Sequence, residues 1–133
     1  MINEVDIKGL VGIPYCEPRQ MGDPLRACDC YALVRIAAGR AGQALPVDAA
    51  ELLEGAVAVE LPMDSLPAVL DLVEIHGDIG AHAGIIVRVL GPEAYVLHQT
   101  KYGSRVDRFS VLCRAGVVVR RGRLKAMMRE AKS

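Results

Sequence analysis

The sequence predicts an α+β domain in which helices come first and an antiparallel sheet follows. Two observations carry this. Apolar residues recur at helical spacing from Tyr31 to Ala41, whereas the chain after Asp71 breaks into runs rich in Val and Ile, bounded by Gly or Pro. Size sets the scale. The 133 residues are 52% apolar, which suits one domain around one core, and with one Phe, four Tyr and no Trp that core must be mostly aliphatic.

The elements follow in order. In residues 2–10, "INEVDIKGL", Ile2, Val5 and Leu10 stand near helical spacing over a short span. Pro14 in "GIPY" ends that pattern, because proline pushes the residue before it out of helical geometry. Residues 16–29 read as loop, with Pro18, Gly22 and Pro24. From Tyr31, Leu33, Val34 and Ala37 fall on one helix face with Ala38 and Ala41 beside it; Asp29 is the expected N-cap and Gly39 or Gly42 the expected stop. "VDAAELLEG", residues 47–55, reads as a second short helix, and "SLPAVL" fits helix or strand. "DLVEI", "HAGIIVRVL", "AYVLHQ" and "RAGVVVRR" read as strands, and the turn signal in "LGPEA" joins the second and third as a hairpin. The last segment, "RRGRLKAMMREAKS", reads as a solvated basic helix with Met127 and Met128 on its apolar side. No repeat or linker divides the chain, so residues 1–133 are expected to be a single domain.

Sixteen basic residues balance sixteen acidic ones, which argues against nucleic acid as a main partner. No N-terminal stretch has the order of a signal peptide, and no apolar run approaches the roughly 20 residues of a membrane span. The four cysteines, Cys16, Cys28, Cys30 and Cys113, are expected to be reduced, as in a cytosolic protein.

Three residues form a candidate catalytic set. Cys30 stands at a helix start, where free backbone N–H groups and the helix dipole favour a thiolate. His82 opens the strand "HAGIIVRVL", where an imidazole can take a thiol proton and return it to a leaving amine. His98 ends the strand "AYVLH", sixteen residues later; antiparallel pairing would bring it beside His82, to bond the second nitrogen of that ring and fix its tautomer. The remaining polar candidates take plainer readings: His76 as a turn residue, Cys113 as packing in a strand, and Asp29 as a cap. A zinc site from Cys16, Cys28, Cys30 and a histidine is argued against by spacing, because Cys28-x-Cys30 is tighter than the usual knuckle.

"DCYALVR", then "HAGIIV", then "VLHQTKYGSRVDRFS" together resemble the NlpC-type cell-wall peptidases. The resemblance runs from "GIPY" to "GVVVRRG" and is strongest to versions carried in phage tail tips. It implies a papain-like fold with N-terminal helices packed on an antiparallel sheet. It also implies cleavage of peptidoglycan stem peptides between D-glutamate and a diamino acid, with no cofactor. By position, Cys30 would be nucleophile, His82 base and His98 orienter, and Tyr15 of "GIPY" would help hold the oxyanion or the thiolate. The implied partners are stem peptides and other tail-tip proteins, and the implied setting is the host cytoplasm during assembly, then the virion tail. The chain departs from the pattern where relatives have Trp-Gly-Gly after the "PY" pair, here "CEPRQMGDPLRA", and after the cysteine, here Tyr31-Ala32. The substrate groove is therefore expected to differ. A structural tail-tip subunit that keeps the fold without turnover is the alternative reading.

Overall fold

The computed structural model describes residues 3–46 and 58–132. The predicted helix over 47–55 lies outside the described residues.

Helix α1 runs over Cys30–Arg40. Asp29 starts it from an extended backbone: its carboxylate accepts the Ala32 N–H at 2.9 Å, satisfying a donor that has no partner inside the helix. Gly42, not Gly39, stops it. Gly42 adopts φ +82°, its N–H bonds the Gly39 carbonyl at 3.0 Å, and the Gln43 N–H bonds the Ala38 carbonyl at 2.9 Å, the pair of bonds that defines a Schellman end. Tyr31, Ala32, Leu33, Val34, Ala37 and Ala38 form its buried face.

The strands are β1 (Ala58–Leu61), β2 (Leu72–Gly77), β3 (Gly80–Leu90), β4 (Glu93–His98), β5 (Arg105–Arg108) and β6 (Val118–Leu124). They form one open, fully antiparallel sheet in the order β1-β6-β2-β3-β4-β5. Three predicted strands are present as β2, β3 and β4, and the "LGPEA" turn makes the β3–β4 hairpin, with Leu90 opposite Glu93. The fourth is shifted. Phe109–Arg114 form a short helix, α2, which ends at Gly116 (φ +74°) in a second Schellman pair, so the strand begins only at Val118. Cys113 therefore lies exposed on α2, not packed in a strand.

Residues 4–10 are not helical. The Ile86/Arg88 bulge leaves Val87 outside the β3–β4 ladder, and the Val5 N–H takes its carbonyl at 2.8 Å. Glu4 bridges to Arg88 beside it. Val5 and Leu10 are buried as parts of this extended strap.

Side chains alternate across the sheet and give it two apolar faces. Leu72, Ile85, Val87 and Leu97 pack with α1 on one face. Val73, Ile75, Ile86 and Val96 pack with Leu112 and Phe109 of α2 on the other. A buried ion pair fastens the 62–66 loop. Arg121, 0% exposed, bonds Asp71, 1% exposed, at 2.7 Å, and also reaches Ser65 Oγ at 2.7 Å. Helix α3 (Lys125–Lys132) follows β6, with Met127 packed against the α1-side core. Among the described residues, no helix is long and apolar enough to cross a membrane.

Candidate active site

The β3–β4 register sets Gly84 opposite His98, which leaves His82 two residues further along β3 on the same face. Gly84 is bare for a reason. A Cβ there would lie 2.8 Å from Val96 Cγ1, 3.1 Å from His98 Cβ and 3.2 Å from Ile75 Cδ1. Glycine lets His98 close against β3 and reach the His82 ring.

The two rings meet as the hairpin geometry predicts. His82 Nε2 lies 3.2 Å from His98 Nδ1, and both residues are buried. The ring planes differ by 14° with centroids 5.5 Å apart. So long a centroid separation with so short an N···N approach places the rings edge to edge, in line for an N–H···N bond. His82 Nδ1 sits 3.2 Å from the Gly80 carbonyl oxygen.

The row continues to a residue that sequence reasoning missed. His98 Nε2 lies 2.7 Å from Asp107 Oδ2, and the Arg105 guanidinium holds Asp107 Oδ1 at 2.9 Å. The available signal was weak: one acidic residue in the polar run Arg105–Arg108, nine residues after His98. Gln99 was also missed. Fully buried, it donates to the Ile13 carbonyl at 3.1 Å and the Cys28 carbonyl at 3.0 Å, and so ties the "GIPY" segment and the cysteine loop to the end of β4.

Cys30 opens α1 half-buried, and its sulfur faces the Ala83 backbone N–H, one residue from His82 along β3. Burial pushes its thiol above the ordinary value; the N–H groups of Ala83, Tyr31 and Cys30 favour the thiolate, and the Asp29 carboxylate opposes it. The helix-start field expected from the sequence is thus outweighed by burial. Burial likewise pushes His82 below 6.5, with the Gly80 carbonyl acting against it. Both shifts run toward the uncharged forms, thiol and imidazole. No hydrogen bond between Cys30 and the His82 ring is present among the described residues; the ring nitrogens face Gly80 and His98.

Tyr15 stands beside this segment, in a parallel bridge with Cys28. Its hydroxyl donates to Glu17 Oε1 at 3.0 Å; burial, the Glu17 carboxylate and then Cys30 and Asp29 push it above its ordinary value. Cys28 is fully buried, and burial pushes its thiol up to about 11, as suits a packing residue. His76 lies exposed on β2, not in a turn, and bonds Glu74 at 2.9 Å. Among the described residues, no group of three or more His, Cys, Asp or Glu is placed to hold a metal ion.

The chain matches no protein-family model and no curated protein. Its chemistry is therefore read from the site: a thiol at a helix start, a histidine one residue from its contact strand position, and a second histidine and a carboxylate in line behind.

Proposed function

We propose that this chain is a papain-like cysteine peptidase of the NlpC type, cleaving peptidoglycan stem peptides at the D-glutamyl–diamino acid bond as a phage tail-tip component. The observation that carries the reading is the 3.2 Å bond between His82 Nε2 and His98 Nδ1 on the strand that meets Cys30 at Ala83. A base held by a further polar group is what thiol-dependent acyl transfer requires, and the strand that carries this base meets the thiol through the Ala83 N–H. The resemblance of "DCYALVR", "HAGIIV" and "VLHQ" to that family supplies the substrate class.

The steps follow from the residues. His82 Nδ1 takes the Cys30 proton as the sulfur bonds to the carbonyl carbon, and the carbonyl π pair moves onto oxygen. Backbone N–H groups at the start of α1 receive the oxyanion. As the C–N bond breaks, the leaving amine takes the proton from His82. Water then attacks the thioester, giving His82 a proton that returns to the sulfur. Purified wall incubated with the protein should release stem-peptide fragments, and Cys30→Ala should release none. Equal release by wild type and variant ends the proposal.

A structural tail-tip subunit is the second reading, favoured by the upward push of burial on the Cys30 thiol, which His82 does not contact through a hydrogen bond. On that reading, particles carrying Cys30→Ala assemble and infect normally; particles that assemble but fail only against rigid wall exclude it.

A further inference from the structure

We propose that Asp107 is a positioning residue that fixes the tautomers of both histidines, leaving Nδ1 of His82 as the one ring nitrogen in the row that neither carries a proton nor accepts one. The order of protons follows from the contacts alone. A carboxylate only accepts, so the 2.7 Å approach of Asp107 Oδ2 to His98 Nε2 needs a proton on that nitrogen. A neutral imidazole carries one N–H, which makes His98 Nδ1 an acceptor. The 3.2 Å approach of His82 Nε2 then needs its proton on Nε2, and Nδ1 is left bare.

One contact pulls the other way. A bare Nδ1 faces the Gly80 carbonyl oxygen at 3.2 Å, two acceptors toward each other. Reversing the row would relieve that clash by placing a proton on His82 Nδ1. It would also turn the His98 Nε2 lone pair against a carboxylate at 2.7 Å. Charge-assisted bonds are roughly twice as strong as neutral ones, and this one is also the shorter, so the Asp107 end decides the order. Arg105 holds the other carboxylate oxygen from the same strand, and Arg105 stands opposite His98 in the β4–β5 register, so the carboxylate cannot swing away without breaking both bonds. The Gly80 oxygen then has a use. Once Nδ1 takes a proton, the N–H it gains points at that oxygen and the imidazolium is held.

Use of this order in turnover rests on the peptidase reading; the order itself does not. The test is nitrogen-15 NMR of histidine-labelled protein without substrate, at a pH where the rings are neutral. The three histidines are assigned with His76→Gln and His98→Gln. Wild type should show a pyridine-type Nδ1 and a pyrrole-type Nε2 on His82. In Asp107→Asn the amide N–H₂ donates to His98 Nε2, so the two nitrogens of His82 should exchange types while the backbone amide spectrum stays folded. A pyrrole-type Nδ1 in wild type overturns the proposal whether or not the variant folds. An unchanged His82 in a folded Asp107→Asn overturns it as well. Failure of wall cleavage, by contrast, would leave these spectra unaltered.

Discussion

Replacing Gly84 by alanine tests whether the bare position on β3 is what allows the two histidines to meet. The added Cβ would stand 2.8 Å from Val96 Cγ1, 3.1 Å from His98 Cβ and 3.2 Å from Ile75 Cδ1. Ordinary carbon contacts lie at about 3.5–4.0 Å, so Val96 must retreat by roughly 0.7 Å or more. It has little freedom to do so: Val96 is fully buried and its β-branched side chain is stiff at χ1. Overpacking of this kind costs about 1–3 kcal/mol, and contacts from three sides place Gly84→Ala in the upper part, about 2–3 kcal/mol. Alanine also narrows the unfolded ensemble, which returns about 0.4–1 kcal/mol. The net loss is then about 1–2.5 kcal/mol, a fall in Tm of about 3–12 °C for a chain of this size. Urea unfolding of both proteins, with the slopes compared, measures it. A loss below about 0.5 kcal/mol, the range of an inert surface change, refutes the argument that the sheet is closed too tightly at this point for a side chain.

Four further outcomes follow from other contacts. Gly39 lies inside α1 with nothing within 4 Å of an added Cβ, so Gly39→Ala should stabilise the protein by about 0.5–1 kcal/mol in the same unfolding assay. Asp71→Ala strands the Arg121 guanidinium at 0% exposure and should cost about 3–5 kcal/mol; a loss near that of a surface substitution would show the pair to be without structural weight. Alkylation of Cys30, followed against pH by peptide mass spectrometry, should have its midpoint above the ordinary thiol value, since burial favours the protonated form and the thiolate appears only as pH rises past the shifted value. Asp29→Asn keeps an N-cap and removes a charge that opposes the thiolate, so the midpoint should fall; a wild-type midpoint below the ordinary value contradicts the burial argument.

What could be read from the sequence was local. The cap at Asp29 and the stop at Gly42 depend on atoms within a few residues, and both formed as the residue types require. The pairing of His82 with His98 rests on one hairpin, whose turn is written in "LGPEA". What escaped depended on distant partners. Val5 and Leu10 are spaced as if for a helix, but the carbonyl that captures Val5 is freed by a bulge some eighty residues away. "RAGVVVRR" is β-branched enough to read as one strand, and only the positive φ of Gly116 separates the end of α2 from β6. Asp107 joined the site through the β4–β5 register, set by the loop between them, which composition does not encode. The upward push on the Cys30 thiol comes from burial, invisible in a motif that advertises only a helix start.

The strand order has a consequence for how the chain is made. β6 lies between β1 and β2, bonded to both, although about sixty residues separate it from β1 in sequence. On a ribosome, β2, β3, β4 and β5 can pair in turn as they emerge, but β1 waits without a neighbour and β2 keeps an open edge until Val118–Leu124 leaves the exit tunnel. Folding of the sheet is therefore gated by its last strand, which pays the largest loop-closure entropy and arrives latest. Until then the exposed edge of β2 is where a nascent chain would pair with a wrong partner.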